Sequence, residues 1–211
     1  MEKNKTKKTA VLCMLAATAI TACALTACGG GSPEEKQDLG VTITGAVNGA
    51  VEAVYSGTPV EVGFTSEYSV PYTVKYAGVD GTVYEESETA PSDAGKYTFS
   101  VTYAGDDTYN PYLLEVALTI LKAENAFTVT IADYAFGSTV SEPVVTGNKG
   151  GAVTFIYEGI GETSYAASAA APEAAGTYRV TATAQATNNY LEGTATDEFE
   201  VTFPPRTDVP A

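Results

Sequence analysis

Histidine and tryptophan are absent from this chain of 211 residues, and cysteine occurs only three times. Without histidine there can be no Ser-His-Asp or Cys-His catalytic arrangement and no imidazole-ligated zinc. Cys13, Cys23 and Cys28 all fall near the N-terminus, so no thiol nucleophile and no disulfide is available further along. Any exported domain built from the remaining residues must hold together by packing alone. Positive charge is scarce as well, 11 Lys and Arg against 26 Asp and Glu, and Lys3, Lys5, Lys7 and Lys8 sit in the first eight positions. From residue 28 onward seven basic groups face 25 acidic ones, a formal net charge of −18. Such a surface repels phosphate backbones, which argues against nucleic acid as a partner, and favours solubility. No glycine-rich phosphate loop leads into a helical pattern, and no Ser-x-x-Lys pair occurs. Acidic residues are plentiful enough to leave a glycosidase-type carboxylate pair open. Bare acidity is weak evidence for one, and the expectation is a protein that is not an enzyme and carries no cofactor or metal.

Lys3–Lys8 form a basic segment, and Ala10–Ala24 an apolar run that is short for a membrane-spanning helix. Together they read as a secretory signal. The run ends in Leu25-Thr26-Ala27-Cys28, which resembles the lipobox of bacterial lipoproteins; Ile20-Thr21-Ala22-Cys23 is a weaker second match. The resemblance implies that Cys28 becomes the first residue and is acylated, with residues 1–27 removed. Gly29-Gly30-Gly31-Ser32-Pro33 follows, a flexible leash suited to a tethered domain, and residues 28–39 are read as linker.

Shifted by 81 residues, the sequence aligns with itself from Thr73 to Tyr109 without a gap. Tyr76 meets Tyr157, Tyr84 meets Tyr165, and Ala90-Pro91 meets Ala171-Pro172. Ala94-Gly95 meets Ala175-Gly176, Tyr97 meets Tyr178, and Tyr109 meets Tyr190. This is an internal repeat of roughly 80 residues. Within each copy apolar residues alternate, as in Tyr97-Phe99-Val101-Tyr103 and Phe199-Val201-Phe203, the period of a strand with one buried face. Asp80-Gly81, Gly105-Asp106-Asp107 and Asn188-Asn189 supply turns. Short strands at regular spacing, with no sustained helical pattern, predict β-sandwiches.

The segment Asp93-Ala94-Gly95-Lys96-Tyr97-Thr98-Phe99 resembles the tyrosine corner of immunoglobulin domains, with Phe99, and Val180 in the second copy, at the cysteine position. With the Ala-Pro-x-x-Ala-Gly-x-Tyr core, each copy resembles the bacterial Ig-like repeats of surface proteins, over residues 40–203. The resemblance implies an all-β chain of two tandem immunoglobulin-like β-sandwich domains, 40–123 and 124–203, before a short tail at 204–211. β-Grasp-like surface repeats are the alternative fold. It also implies a lipid-anchored, extracytoplasmic protein acting as an adhesion or binding module for a surface glycan or protein, or else as a passive spacer or accessory subunit. Tyr97 and Tyr178 are the structural corners, Gly95 and Gly176 giving the backbone freedom to turn. The non-repeated Tyr68 and Tyr112 are the candidate contact residues. Glu85-Glu86-Ser87-Glu88 and Asp106-Asp107 match no calcium-loop pattern and are read as a solvated edge and a turn. The second copy departs at Ala186-Thr187-Asn188, opposite Gly105-Asp106-Asp107, so a ligand role there would not carry over.

Overall fold

The computed structural model of the protein describes residues 35–204. The signal segment, Cys23, Cys28, the glycine leash and the tail from residue 205 lie outside the described residues. In the first repeat the strands are β1 (Val41–Ile43), β2 (Ala50–Val54), β3 (Phe64–Ser66), β4 (Thr73–Val79), β5 (Gly95–Tyr103) and β6 (Tyr112–Leu121). In the second they are β7 (Thr128–Thr130), β8 (Tyr134–Ala135), β9 (Val144–Thr146), β10 (Val153–Gly159), β11 (Gly176–Ala184) and β12 (Gly193–Thr202). Among the described residues there is no helix, which removes the β-grasp alternative, a fold that lays a helix across its sheet.

Each repeat sets a two-stranded sheet against a four-stranded one. The larger sheets run β2-β6-β5-β4 and β8-β12-β11-β10, and the smaller pairs are β1-β3 and β7-β9. Strict alternation builds the sheet centre: Tyr97, Phe99, Val101 and Tyr103 point inward from β5 while Lys96, Thr98, Ser100 and Thr102 point outward. Phe99, Val101 and Leu118 are fully buried in the first core, as Val180, Ala182 and Val201 are in the second. At about 1.5–3 kcal/mol for each large apolar side chain fully buried, these inner faces supply the main force for folding, in place of a disulfide.

The chain crosses between sheets early. After β1 it turns at Asn48 and Gly49, both with positive φ (53° and 78°), where Val47 and Ala50 exchange backbone hydrogen bonds of 2.8 and 3.1 Å. Positive φ at both central residues is the geometry that an Asn-Gly pair favours. Strand β2 then runs parallel to the last strand of its repeat, Ala50–Val54 against Ala117–Leu121. The second repeat lacks this hairpin, and its parallel pair is shorter, Tyr134 and Ala135 against Val201 and Thr202. Two aspartates extend it by other means: the Ile131 N–H donates to Asp197 at 2.9 Å and the Glu200 N–H to Asp133 at 2.7 Å.

A seven-stranded immunoglobulin sandwich has two further strands between those that correspond to β4 and β5. Here residues 80–94 form an irregular cover instead, closed by Tyr76 and Ser87 bonding each other's backbone at 2.7 and 2.9 Å. Pro91 is buried within this cover, and its carbonyl accepts the Val60 N–H at 2.9 Å. Pro172 is buried in the same place in the second repeat. The linker expected over residues 28–39 ends sooner, because the chain is already docked at Gln37. Gln37 brackets Tyr109, donating to the Thr108 carbonyl at 2.8 Å and accepting from the Asn110 N–H at 2.9 Å, and Leu39 is buried.

Candidate functional site

At the start of β5 the Tyr97 hydroxyl donates to the Asp93 carbonyl at 2.7 Å, and at the start of β11 the Tyr178 hydroxyl donates to the Ala174 carbonyl at 2.7 Å. Tyr84 and Tyr165 stand edge-on to these rings, with centroids 5.6 and 5.7 Å apart, and their own hydroxyls bond the Thr89 and Ala170 carbonyls. Burial raises the pKa of both Tyr97 and Tyr178 by disfavouring the phenolate. Gly95 and Gly176 do not take the left-handed conformation, so their role at the corner is different from backbone freedom. A Cβ on Gly95 would lie 2.7 Å from the Thr82 methyl and 3.1 Å from the Tyr97 hydroxyl, and Gly176 meets Thr163 and Tyr178 in the same way. Glycine is needed because the corner threonine sits on top of it.

The candidate contact residues lie against other rings. Tyr68 packs at 5.1 Å on Tyr109, and Tyr112 stands edge-on to Tyr72, which also meets Phe64 and Tyr103. Both are half-buried. Asp106 organises its turn: one carboxylate oxygen accepts the Thr108 and Tyr109 N–H groups at 2.7 Å, and the other accepts the Tyr103 hydroxyl at 2.6 Å. That hydroxyl bond, then the two backbone donors, hold the Asp106 pKa below its ordinary value, while Tyr103 is pushed up to about 12. The Thr187 hydroxyl takes the same place in the second repeat and accepts the Tyr190 N–H at 3.1 Å. Glu86, from the acidic edge, pairs with Lys75.

The sequence departure at 186–188 borders the junction between the repeats. Ala123 bonds Asn189 and Leu191 through its backbone at 2.9 and 2.8 Å, and Lys122 donates to the Thr187 carbonyl at 2.6 Å. The Asn189 side chain reaches back into the first repeat, accepting the Ala94 N–H at 2.8 Å and donating to the Asp93 carboxylate at 2.9 Å. Tyr55 and Tyr190 meet edge-on at 5.3 Å. Just beyond the joint Asn125 is buried, with its amide held between Asn148 and the Lys149 N–H. None of these residues announces itself in sequence, because each bond joins positions far apart along the chain. The local signal is only that Asn188-Asn189 breaks the repeat.

Beside the clasp lies an open groove of about 480 Å³, lined by Gly81, Thr82, Val83, Tyr84, Ser92, Asp93, Ala94, Tyr97 and Lys122 of the first repeat and Asn188 of the second. Val83 is almost wholly exposed at its rim. The lining offers a tyrosine ring, a carboxylate, an ammonium and an amide, a set that can hold hydroxyls and amides. A hollow of the same volume over β1 and β3 is walled by Gly40, Val41, Thr42, Thr65, Ser66 and Glu67 and has no aromatic ring. No protein-family model matches the chain, and no curated protein is similar to it in sequence. Among solved structures, the chain is similar to the fibronectin(III)-like modules of Clostridium thermocellum CbhA, at 14% identity and a TM-score of 0.25, over 77% of this chain and 94% of that one.

Proposed function

We propose that the chain is a non-catalytic, lipid-anchored, extracytoplasmic protein whose Ig-like repeats act as an adhesion or binding module for a surface glycan or protein. The observation that supports this reading is the groove at the joint, where Tyr84, Asp93 and Lys122 of one repeat converge with Asn188 of the other. Ligand sites favour such seams, where two units bring polar groups together that neither could arrange alone. Its lining combines a tyrosine ring with both signs of charge at one seam. Asp93 is already engaged by Asn189, so the joint and the groove depend on each other. The test is a glycan array and a pull-down with the soluble mature chain, repeated with Tyr84→Ala, Lys122→Ala and Asn188→Ala. Loss of binding in these variants, with the β-type circular dichroism of the chain retained, supports the groove. Binding that survives all three places the contact elsewhere.

A passive spacer is the second reading, and the joint favours it. Five hydrogen bonds and an aromatic pair fix the two repeats to each other, as a stalk requires. A chain that binds nothing on the array or in the pull-down belongs to this second class.

A further inference from the structure

The order of pairing in each repeat has a mechanical consequence. Tension entering a repeat at its start and leaving at its end pulls the N-terminal end of one strand against the C-terminal end of another. Strand β2 lies early in its repeat, β6 closes it, and the two are parallel neighbours in register from Ala50–Ala117 to Val54–Leu121. Pulling therefore slides the two strands along their common axis and loads all of their hydrogen bonds together, instead of opening them one at a time. The Tyr55 N–H, bonded to the Leu121 carbonyl at 2.9 Å, adds one more bond to the same line. In the second repeat the equivalent pair, β8 with β12, has just two backbone partners, Tyr134–Val201 and Ala135–Thr202, closed by the Phe136 N–H on the Thr202 carbonyl at 2.8 Å and flanked by the side-chain bonds of Asp133 and Asp197.

We infer that the chain bears tension, with the parallel pair of each repeat as its clamp, and that the second repeat yields at lower force than the first. This deepens the spacer reading of the chain, on which it rests. It stands apart from the groove, because the load runs through β2, β6, β8 and β12 whatever the chain binds. The asymmetry gives an anchored protein a first repeat that stays folded while the second lengthens. Each repeat would extend to about 28 nm, from roughly 80 residues at about 3.5 Å each, and would release that length less the span of the folded repeat.

The experiment pulls single mature chains by their two ends. Two unfolding steps of nearly equal length at distinct forces are expected. Paired cysteines at register partners identify them, since a crosslink across the clamp prevents most of that repeat from lengthening. Under oxidising conditions Ala135→Cys with Thr202→Cys should remove most of the extension from the weaker step. Val54→Cys with Leu121→Cys should shorten the stronger one. Ala53→Pro, two residues before Tyr55 on the same side of β2, gives a check that needs no crosslink: it should lower the stronger step and leave the weaker unchanged. A single force for both repeats, a reversed assignment, or an Ala53→Pro chain that resists like the parent would overturn the inference. Loss of glycan or protein binding would leave it untouched.

Discussion

Asn189 of the second repeat grips Asp93 and Ala94 of the first with both ends of its side-chain amide, at 2.9 and 2.8 Å across some 95 positions of sequence. Its own carbonyl accepts the Ala123 N–H at 2.9 Å, so one residue ties the connecting segment and the neighbouring repeat at once. Asp93 also supplies the carbonyl that takes the Tyr97 hydroxyl. The corner of one repeat is thus the docking point of the next.

That coupling is testable by removing the amide. Asn189→Ala deletes two side-chain bonds, one of them to a carboxylate, at an expected cost on the order of 1–3 kcal/mol. Each repeat has its own buried cluster, so segments 38–123 and 124–205 expressed separately should both fold and give β-type circular dichroism. In the joined chain Asn189→Ala should broaden the distance distribution between labels on the two repeats while both repeats keep their β-type circular dichroism. If either segment is unfolded alone, the repeats form one cooperative unit and the clasp is part of a shared core.

The corner tyrosines carry a second expectation. Tyr97→Phe or Tyr178→Phe keeps the ring and deletes the hydroxyl bond to the Asp93 or Ala174 carbonyl. An acceptor left partly buried and unpaired costs about 1–3 kcal/mol. For a repeat of this size that corresponds to a fall of roughly 4–8 °C in melting temperature for each kcal/mol lost. Tyr68→Phe, whose hydroxyl has no hydrogen-bond partner among the described residues, is the control and should melt with the parent. Equal melting of all three would remove the corner from the account of stability.

Membrane attachment is checked at Cys28. Cys28→Ala should leave the precursor unprocessed or release the protein from the membrane fraction, because the thiol to be acylated is gone. Mass spectrometry of the mature protein should find a lipid-modified cysteine at its N-terminus. An unmodified N-terminus at another position would refute the assignment, and a lipid on Cys23 would move it.

How much of this was legible in the sequence follows from the range of the interactions. The alternation of Tyr97, Phe99, Val101 and Tyr103 is local, and it alone dictates β5 and its buried face. The 81-residue shift was equally readable, since fixed Tyr, Gly and Pro spacings need no tertiary knowledge. Strands β1, β2, β8 and β9 were not legible, because Val41–Ile43 and Tyr134–Ala135 are too short to show a period. The Asn48-Gly49 pair is a hairpin signal of the same kind as Asp80-Gly81, but the strands flanking it are too short to show apolar alternation. The clasp was hidden for another reason. Asn189 is an ordinary turn residue until Asp93 is brought beside it, and nothing short of the fold does that.

Alkaline pH gives the last test, and its direction follows from the tyrosines. Burial, in an apolar site where its hydroxyl donates to the Pro172 carbonyl, pushes Tyr134 up to about 12. Tyr103 is also pushed up to about 12, chiefly by its bond to the Asp106 carboxylate, and burial raises Tyr76, Tyr97, Tyr157 and Tyr178. In the unfolded chain each titrates near 10. Above that value the folded chain holds more protons than the unfolded one, so stability falls as pH rises. The contribution is intact below about pH 10 and lost as pH climbs through about 12, so the chain should unfold cooperatively within that window. Asp106, whose pKa is depressed, acts on the opposite limb: its contribution is present above the ordinary carboxylate range and disappears as pH falls through the lowered value. Tyrosine absorbance near 295 nm, followed beside circular dichroism, should show the buried phenols ionising only as the strands are lost. Tyr134→Phe should make the alkaline limb shallower, and Asp106→Asn should flatten the acid limb of the first repeat while leaving that of the second, where Thr187 replaces the aspartate, as it was. Ionisation of Tyr76, Tyr97, Tyr103, Tyr134, Tyr157 or Tyr178 near 10 in a chain still fully folded would show that those hydroxyls are not held as described.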